Sequence, residues 1–107
     1  MRYDSLLALL QRGQIAEFNR KRPACFDMRC FNLSGLDLTG VDLTGCDLRR
    51  ANLSNAKLNN AILRGANLDY ANLTNTDFTG ADLARVTSEN AILDSSMLVS
   101  ELNKIAA

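Results

Sequence analysis

The amino-acid sequence predicts an all-β solenoid of square cross-section, with about three and a half coils between helical ends. Three observations carry this reading. Leucine recurs at every fifth position, as in "FNLSGLDLTGVDLTGCDLRRANL" from Phe31 to Leu53. Alanine tends to stand two residues before those leucines, and Asp or Asn one residue before. Gly and Asn dominate the position two residues after. A step of five suits neither common regular structure. On a helix it rotates a side chain by roughly 140°, and on a strand it sends every second leucine to the opposite face.

Written in fives from Phe26 to Ser95, the chain holds fourteen consecutive pentapeptides. Leu fills eleven of the centres: Leu33, Leu38, Leu43, Leu48, Leu53, Leu58, Leu63, Leu68, Leu73, Leu83 and Leu93. Met28 and Phe78 fill two more and join them as core residues, while Ser88 interrupts the column. Seven alanines (Ala51, Ala56, Ala61, Ala66, Ala71, Ala81 and Ala91) suit tight inner corners that would exclude a larger side chain. Ten Asp or Asn residues precede the centres and are expected to form a solvated hydrogen-bonding ladder. Gly and Asn accept positive φ cheaply, as the third position of a type II turn requires. A right-angle corner every five residues aims each centre at one axis, and four corners stack residue i beneath residue i+20. At the strand spacing of about 4.8 Å, the rod would stand roughly 17 Å tall.

"ANLSN", "ANLDY", "ANLTN" and "ADLAR" fit the motif A(D/N)LXX, and residues 26–95 resemble the pentapeptide-repeat proteins. The resemblance implies a right-handed quadrilateral β-helix, with the middle residue and the one two before it pointing inward. It also implies a specific functional alternative. Some members of that family resemble duplex DNA in shape and charge, bind DNA gyrase and confer quinolone resistance.

An open solenoid exposes apolar core and unpaired backbone, so both ends call for cover. Residues 1–25 are read as an N-terminal helical cap. Asp4 or Ser5 serves as its N-cap, Gly13 as a break and Pro23 as its stop. Phe26, Phe31, Leu36 and Val41 stand where alanine stands elsewhere, a widening of the first coil where the cap would rest. Residues 96–107 are read as a C-terminal capping segment. A further half coil and a terminal helix both fit it. The helix is preferred, with Ser96 as N-cap and Leu98, Leu102 and Ile105 on one stripe. A self-capping helix favours a monomer, and a C-terminal homodimer is the alternative.

Chain length bounds the fold to one domain. Twelve basic residues balance twelve acidic ones, so no global field recommends nucleic acid or an anionic membrane as a partner. No apolar run approaches spanning length. A short, charged amino terminus and three cysteines without a CxxC pair point to the cytoplasm. There is no histidine, and a filled interior offers no substrate cavity. Accordingly no catalytic residue, cofactor or metal is assigned. Cys25, Cys30 and Cys46 are read as free thiols, buried or semi-buried, with Cys46 inward above Phe26.

Charge distributes unevenly. The repeats carry nine acidic and six basic residues, whereas residues 1–25 carry five basic and two acidic. On the first side of the square, Arg29, Arg49 and Arg50 adjoin Asp27, Asp47, Asp69 and Glu89, and Tyr70 stacks over Arg50 within cation–π reach. Arg29, Arg49, Arg50, Asp69 and Tyr70 form the candidate protein-binding patch. The leading reading is a non-catalytic rigid scaffold or binding module for a protein partner. DNA mimicry toward gyrase is the alternative. Members of that type are longer and markedly acidic, which this chain is not.

Overall fold

The computed structural model describes residues 3–93. From Asp27 onward the backbone is held by ten isolated parallel bridges, each joining a residue to the one twenty positions on, from Asp27–Asp47 to Asn72–Ile92. Four pentapeptides therefore make one coil, and each side of the square contributes a single bridging residue. The corner residues all lie at positive φ, as at Gly35 (71°), Asn55 (61°) and Gly80 (73°). This is where Gly and Asn suit the chain best.

Hydrogen bonding explains every column of the repeat. Asn52 N–H donates to Phe31 O one coil below at 2.9 Å, and Leu33 N–H donates to Asn52 O at 2.8 Å. Gly35 N–H donates to Ser54 O at 2.9 Å, and Leu36 N–H closes the turn on Leu33 O at 3.3 Å. Only the fourth N–H of the unit, that of Ser34, goes to a side chain. It donates to Asn32 Oδ1 at 3.1 Å. The same contact forms at all ten Asp and Asn positions. The column is thus a set of local Asx turns, each serving a donor the coil cannot otherwise satisfy. The expected solvated hydrogen-bonding ladder is built mainly of local turns, with bonds between coils at Asn67, Asp77 and Asp82.

Lys57, Ile62, Thr87 and Ile92 lack the acceptor, and Ile62 is also 41% exposed. Ile62→Asn is expected to supply Arg64 N–H with a partner and stabilise the coil by roughly 0.5–1 kcal/mol. A rise in melting temperature checks it, and a fall would show that Arg64 N–H is better served by water.

Met28 and the centres from Leu33 to Leu73 have no solvent exposure, while Phe78 and Leu83 are 2% exposed. Thr76 takes an alanine position, and its buried hydroxyl donates to Leu53 O at 2.7 Å. Leu93 departs from its core assignment at 36% exposure, because no described residue lies on the coil above it. The choice between a half coil and a helix at Ser96, Leu98, Leu102 and Ile105 lies outside the described residues.

Two helices precede the coils, α1 (Tyr3–Gln11) and α2 (Ile15–Lys21), separated at Gly13 with φ 73°. α1 starts ahead of Asp4 and Ser5, so neither is its N-cap. Such residues suit a first turn as well as a cap, and residue type alone did not separate the two. Arg22 ends α2 in extended geometry (φ −61°, ψ 136°), the conformation that Pro23 imposes on its predecessor.

Leu6, Leu10 and Phe18 are fully buried in one core with the first coil, where the Phe18 and Phe26 rings lie 6.2 Å apart. α2 also meets the lower backbone edge. Higher in the stack, the N–H before each centre donates to a carbonyl twenty-one residues back, as Asp47 does to Phe26. For Asp42 that position is Lys21, inside α2, and Asn19 Oδ1 accepts instead at 2.8 Å. Asn19 Nδ2 returns a bond to Gly40 O at 3.1 Å. Arg22 Nη2 donates to Thr44 O at 2.5 Å, and Nη1 lies 3.4 Å from the Asp42 carboxylate. Two side chains here do the work of a coil's backbone.

Candidate functional site

The first side of the square and its corner gather charged and aromatic side chains on the outside of the coil. Asp27, Arg29, Cys30, Phe31, Arg49, Arg50 and Tyr70 line an outer groove of about 510 Å³. Backbone bonds between coils hold the corner in place: Cys30 N–H to Arg49 O at 3.1 Å, Arg50 N–H to Asp69 O at 3.0 Å, and Tyr70 N–H to Glu89 O at 2.9 Å. Cys30, Arg50 and Tyr70 are therefore stacked one above another, twenty residues apart.

Two of the arginines are closed into forks. Arg29 Nε and Nη2 donate to Asp27 at 3.0 and 2.8 Å, and Arg49 repeats the arrangement on Asp47 at 2.9 and 2.7 Å. Arg50 is different: its guanidinium carbon sits 4.8 Å from the centroid of the Tyr70 ring. Tyr70 itself is 50% exposed. Phe31 is half-buried, edge-on to Phe26 with centroids 6.0 Å apart. The groove thus combines ion-paired walls, a cation resting on an aromatic face, and an apolar patch.

Of the sequence-derived patch, Arg29, Arg49, Arg50 and Tyr70 come together in this groove. Asp69 does not. Its Oδ1 accepts Glu89 N–H at 2.9 Å, replacing the Asx acceptor missing at Thr87. Asp27, read from the sequence as adjoining the arginines, also lines the groove, and so do Cys30 and Phe31, which lie twenty residues before Arg50 and Ala51. A filled interior still leaves room for a cleft on the outside, between side chains of stacked coils.

The family model for pentapeptide repeats matches residues 46–85 in eight copies. Residues 46–85 are pentapeptide repeats. Pentapeptide repeats form right-handed quadrilateral β-helices. The chain is similar to the crystal structure of a pentapeptide repeat protein from the cyanobacterium Cyanothece 51142, at 34% identity and TM-score 0.44, covering 64% of this chain and 50% of that one. A pentapeptide repeat protein of the Arabidopsis thaliana thylakoid lumen is 36% identical at TM-score 0.33, with coverages of 64% and 50%. One from Nostoc Pcc 7120 is 26% identical at TM-score 0.34, covering 92% of this chain and 90% of that one. The chain thus spans half the length of the first two. No curated protein matches it.

Within this pentapeptide-repeat coil, Cys25 and Cys30 are exposed free thiols and Cys46 is a buried one. The expectation of semi-burial fails for the first two because corner residues point away from the axis. Burial pushes the Cys46 thiol up, with Arg22 Nη2 3.7 Å from the sulfur. Among the described residues, no group of three or more candidate ligands is placed to hold a metal ion. No described helix is long and apolar enough to cross a membrane.

The Asx turns make the fold acid-sensitive. Hydrogen bonds from Arg29 hold the Asp27 carboxyl at about 2, well below the usual 3.8. Asp37, Asp47 and Asp77 are lowered chiefly by donors on the Thr39, Arg49 and Thr79 side chains, and Asp82 by Ala84 N–H. A carboxyl depressed in the folded state stabilises it above the unfolded pKa, and that contribution is lost as pH falls through the folded value. The melting temperature should therefore stay level down to about pH 5 and fall between about pH 4 and 2. A level profile down to pH 2 would contradict the assignment.

Proposed function

We propose that the protein is a non-catalytic, rigid binding module that recognises a protein partner through the groove at the Cys30–Arg50–Tyr70 corner. One observation carries this reading. Left-handed backbone disfavours a residue with a bulky side chain by roughly 1–2 kcal/mol, and the other corners mostly avoid that by using Gly or Asn. Here Cys30, Arg50 and Tyr70 hold φ of 64°, 63° and 61° in three consecutive coils. Cys25 and Arg85 are further exceptions, but Gly45 and Gly65 separate them in their column. Strain gathered around one groove supports a functional reason for the side chains it carries. A preformed coil also loses little entropy on association. Helices α1 and α2 serve this reading as the cover of the lower end.

DNA mimicry needs an uninterrupted negative surface, and Arg29, Arg49 and Arg50 interrupt it on the first side. The test is a double variant, Arg50→Gly with Tyr70→Asn, which installs residues that other corners already use. It is expected to raise the melting temperature, by relief of the left-handed strain, while losing capture of the proteins that the unaltered chain retains from a lysate of its source cells. Capture of the same set by both would overturn the proposal.

A further inference from the structure

We infer that the groove's partner presents a carboxylate beside a large apolar side chain, as an acidic peptide segment does. This rests on the reading of the groove as a protein-recognition site and names the chemistry that it selects.

Charge complementarity selects the anion. Three guanidinium groups enter the groove, but Arg29 and Arg49 each spend both fork nitrogens on the aspartate two residues before them. Arg29 Nε also lies 3.8 Å from Asp47, so these two pairs form one neutral cluster. Arg50 makes no ion pair with any described carboxylate, and its contact is the Tyr70 ring. An aromatic face attracts the cation without consuming its N–H donors. The guanidinium edge therefore keeps a fork suited to a planar carboxylate, which accepts two parallel hydrogen bonds. One unspent cation calls for one anion.

Apolar surface supplies the second half. Phe31 is half-buried and Tyr70 half-exposed, and both line the same groove as Arg50. A groove of about 510 Å³ falls within the 300–1,000 Å³ range of clefts that hold small ligands. A short segment fits such a volume better than a folded surface. Nucleic acid is a poorer match, because a polyanion is held by many cations and only Arg50 is open here. Substituting the neighbouring pairs would not help a phosphate chain either, since Asp27 and Asp47 stand against it.

The test uses the full chain, isotopically labelled, and follows its amide resonances by NMR. Three capped tetrapeptides serve as probes: acetyl-Gly-Glu-Phe-Gly-amide and its analogues with Gln or Lys in place of Glu. The Glu peptide is expected to shift the amides of Cys30, Arg50 and Tyr70, and to bind about tenfold more tightly than the Gln peptide, the effect of one charge-assisted hydrogen bond. Arg50→Gln should remove that preference without lowering the melting temperature, and Arg64→Gln, on another side of the square, should leave it intact. Equal shifts from all three peptides would overturn the acidic-partner inference while leaving the groove a recognition site. Absence of any shift at millimolar peptide would overturn both. Equal displacement by inorganic phosphate, or tighter binding of a short oligonucleotide, would also overturn the inference, because neither carries a carboxylate with an apolar neighbour.

Discussion

Leu58→Asp is expected to destabilise the fold by at least about 3 kcal/mol more than Lys57→Ala does. Leu58 has no exposure and sits between Leu38 and Phe78 in its column. Its N–H is already engaged with Asp77 O at 2.7 Å, and the neighbouring centres Leu53 and Leu63 are equally buried. A carboxylate at that position would meet only apolar surface. Lys57, one residue away, is exposed, and its ammonium acts only as a distant charge on Asp37 and Asp77. Coil-on-coil stability is close to a sum of neighbour terms, so a defect in a middle coil is felt on both sides. Thermal unfolding of the two variants decides it. Equal melting temperatures would mean that the column assignment is wrong.

Removing residues 1–24 is expected to produce end-to-end association or aggregation. The deletion uncovers Phe26, which is 1% exposed, together with the flanks of Phe31 and Leu36 that pack on the core. It also frees the lower backbone edge at Asp42 N–H, Gly40 O and Thr44 O, now occupied by Asn19 and Arg22. An unpaired edge beside apolar surface is a template for a second chain. A graded version keeps the helices and changes only the edge contacts. Asn19→Ala with Arg22→Ala should destabilise by about 2–4 kcal/mol, from two to three part-buried polar contacts left open. Light scattering and thermal unfolding report the two effects separately. A truncated chain that stays monomeric and equally stable would show that α1 and α2 do not protect the first coil.

Much of this was legible because the fold is written locally and repeatedly. Each pentapeptide states its own corner through Gly35 or Asn55 and its own core residue through Leu33 or Leu53. A signal repeated at every unit survives exceptions such as Ser88. The stacking of Tyr70 on Arg50 was legible too, since a twenty-residue period places the two in one column.

Other features were decided only in three dimensions. The Asp and Asn column stood out in the sequence, but its purpose did not. Recognising it required knowing that four N–H groups of each unit find backbone acceptors and the fourth position's does not. Asn19 and Arg22 look like ordinary polar residues of a helix end until their side chains are seen completing the hydrogen bonds of the first coil. Asp69 looked like a member of the surface patch, yet its carboxylate turns to Glu89 N–H because Thr87 supplies no Asx acceptor. The sequence by itself determined the corners and the core, because turn preference and burial belong to single residues. Tertiary structure decided the groove, the lower edge and the direction of each charged side chain, because those depend on which donors and acceptors the neighbouring coil has already used.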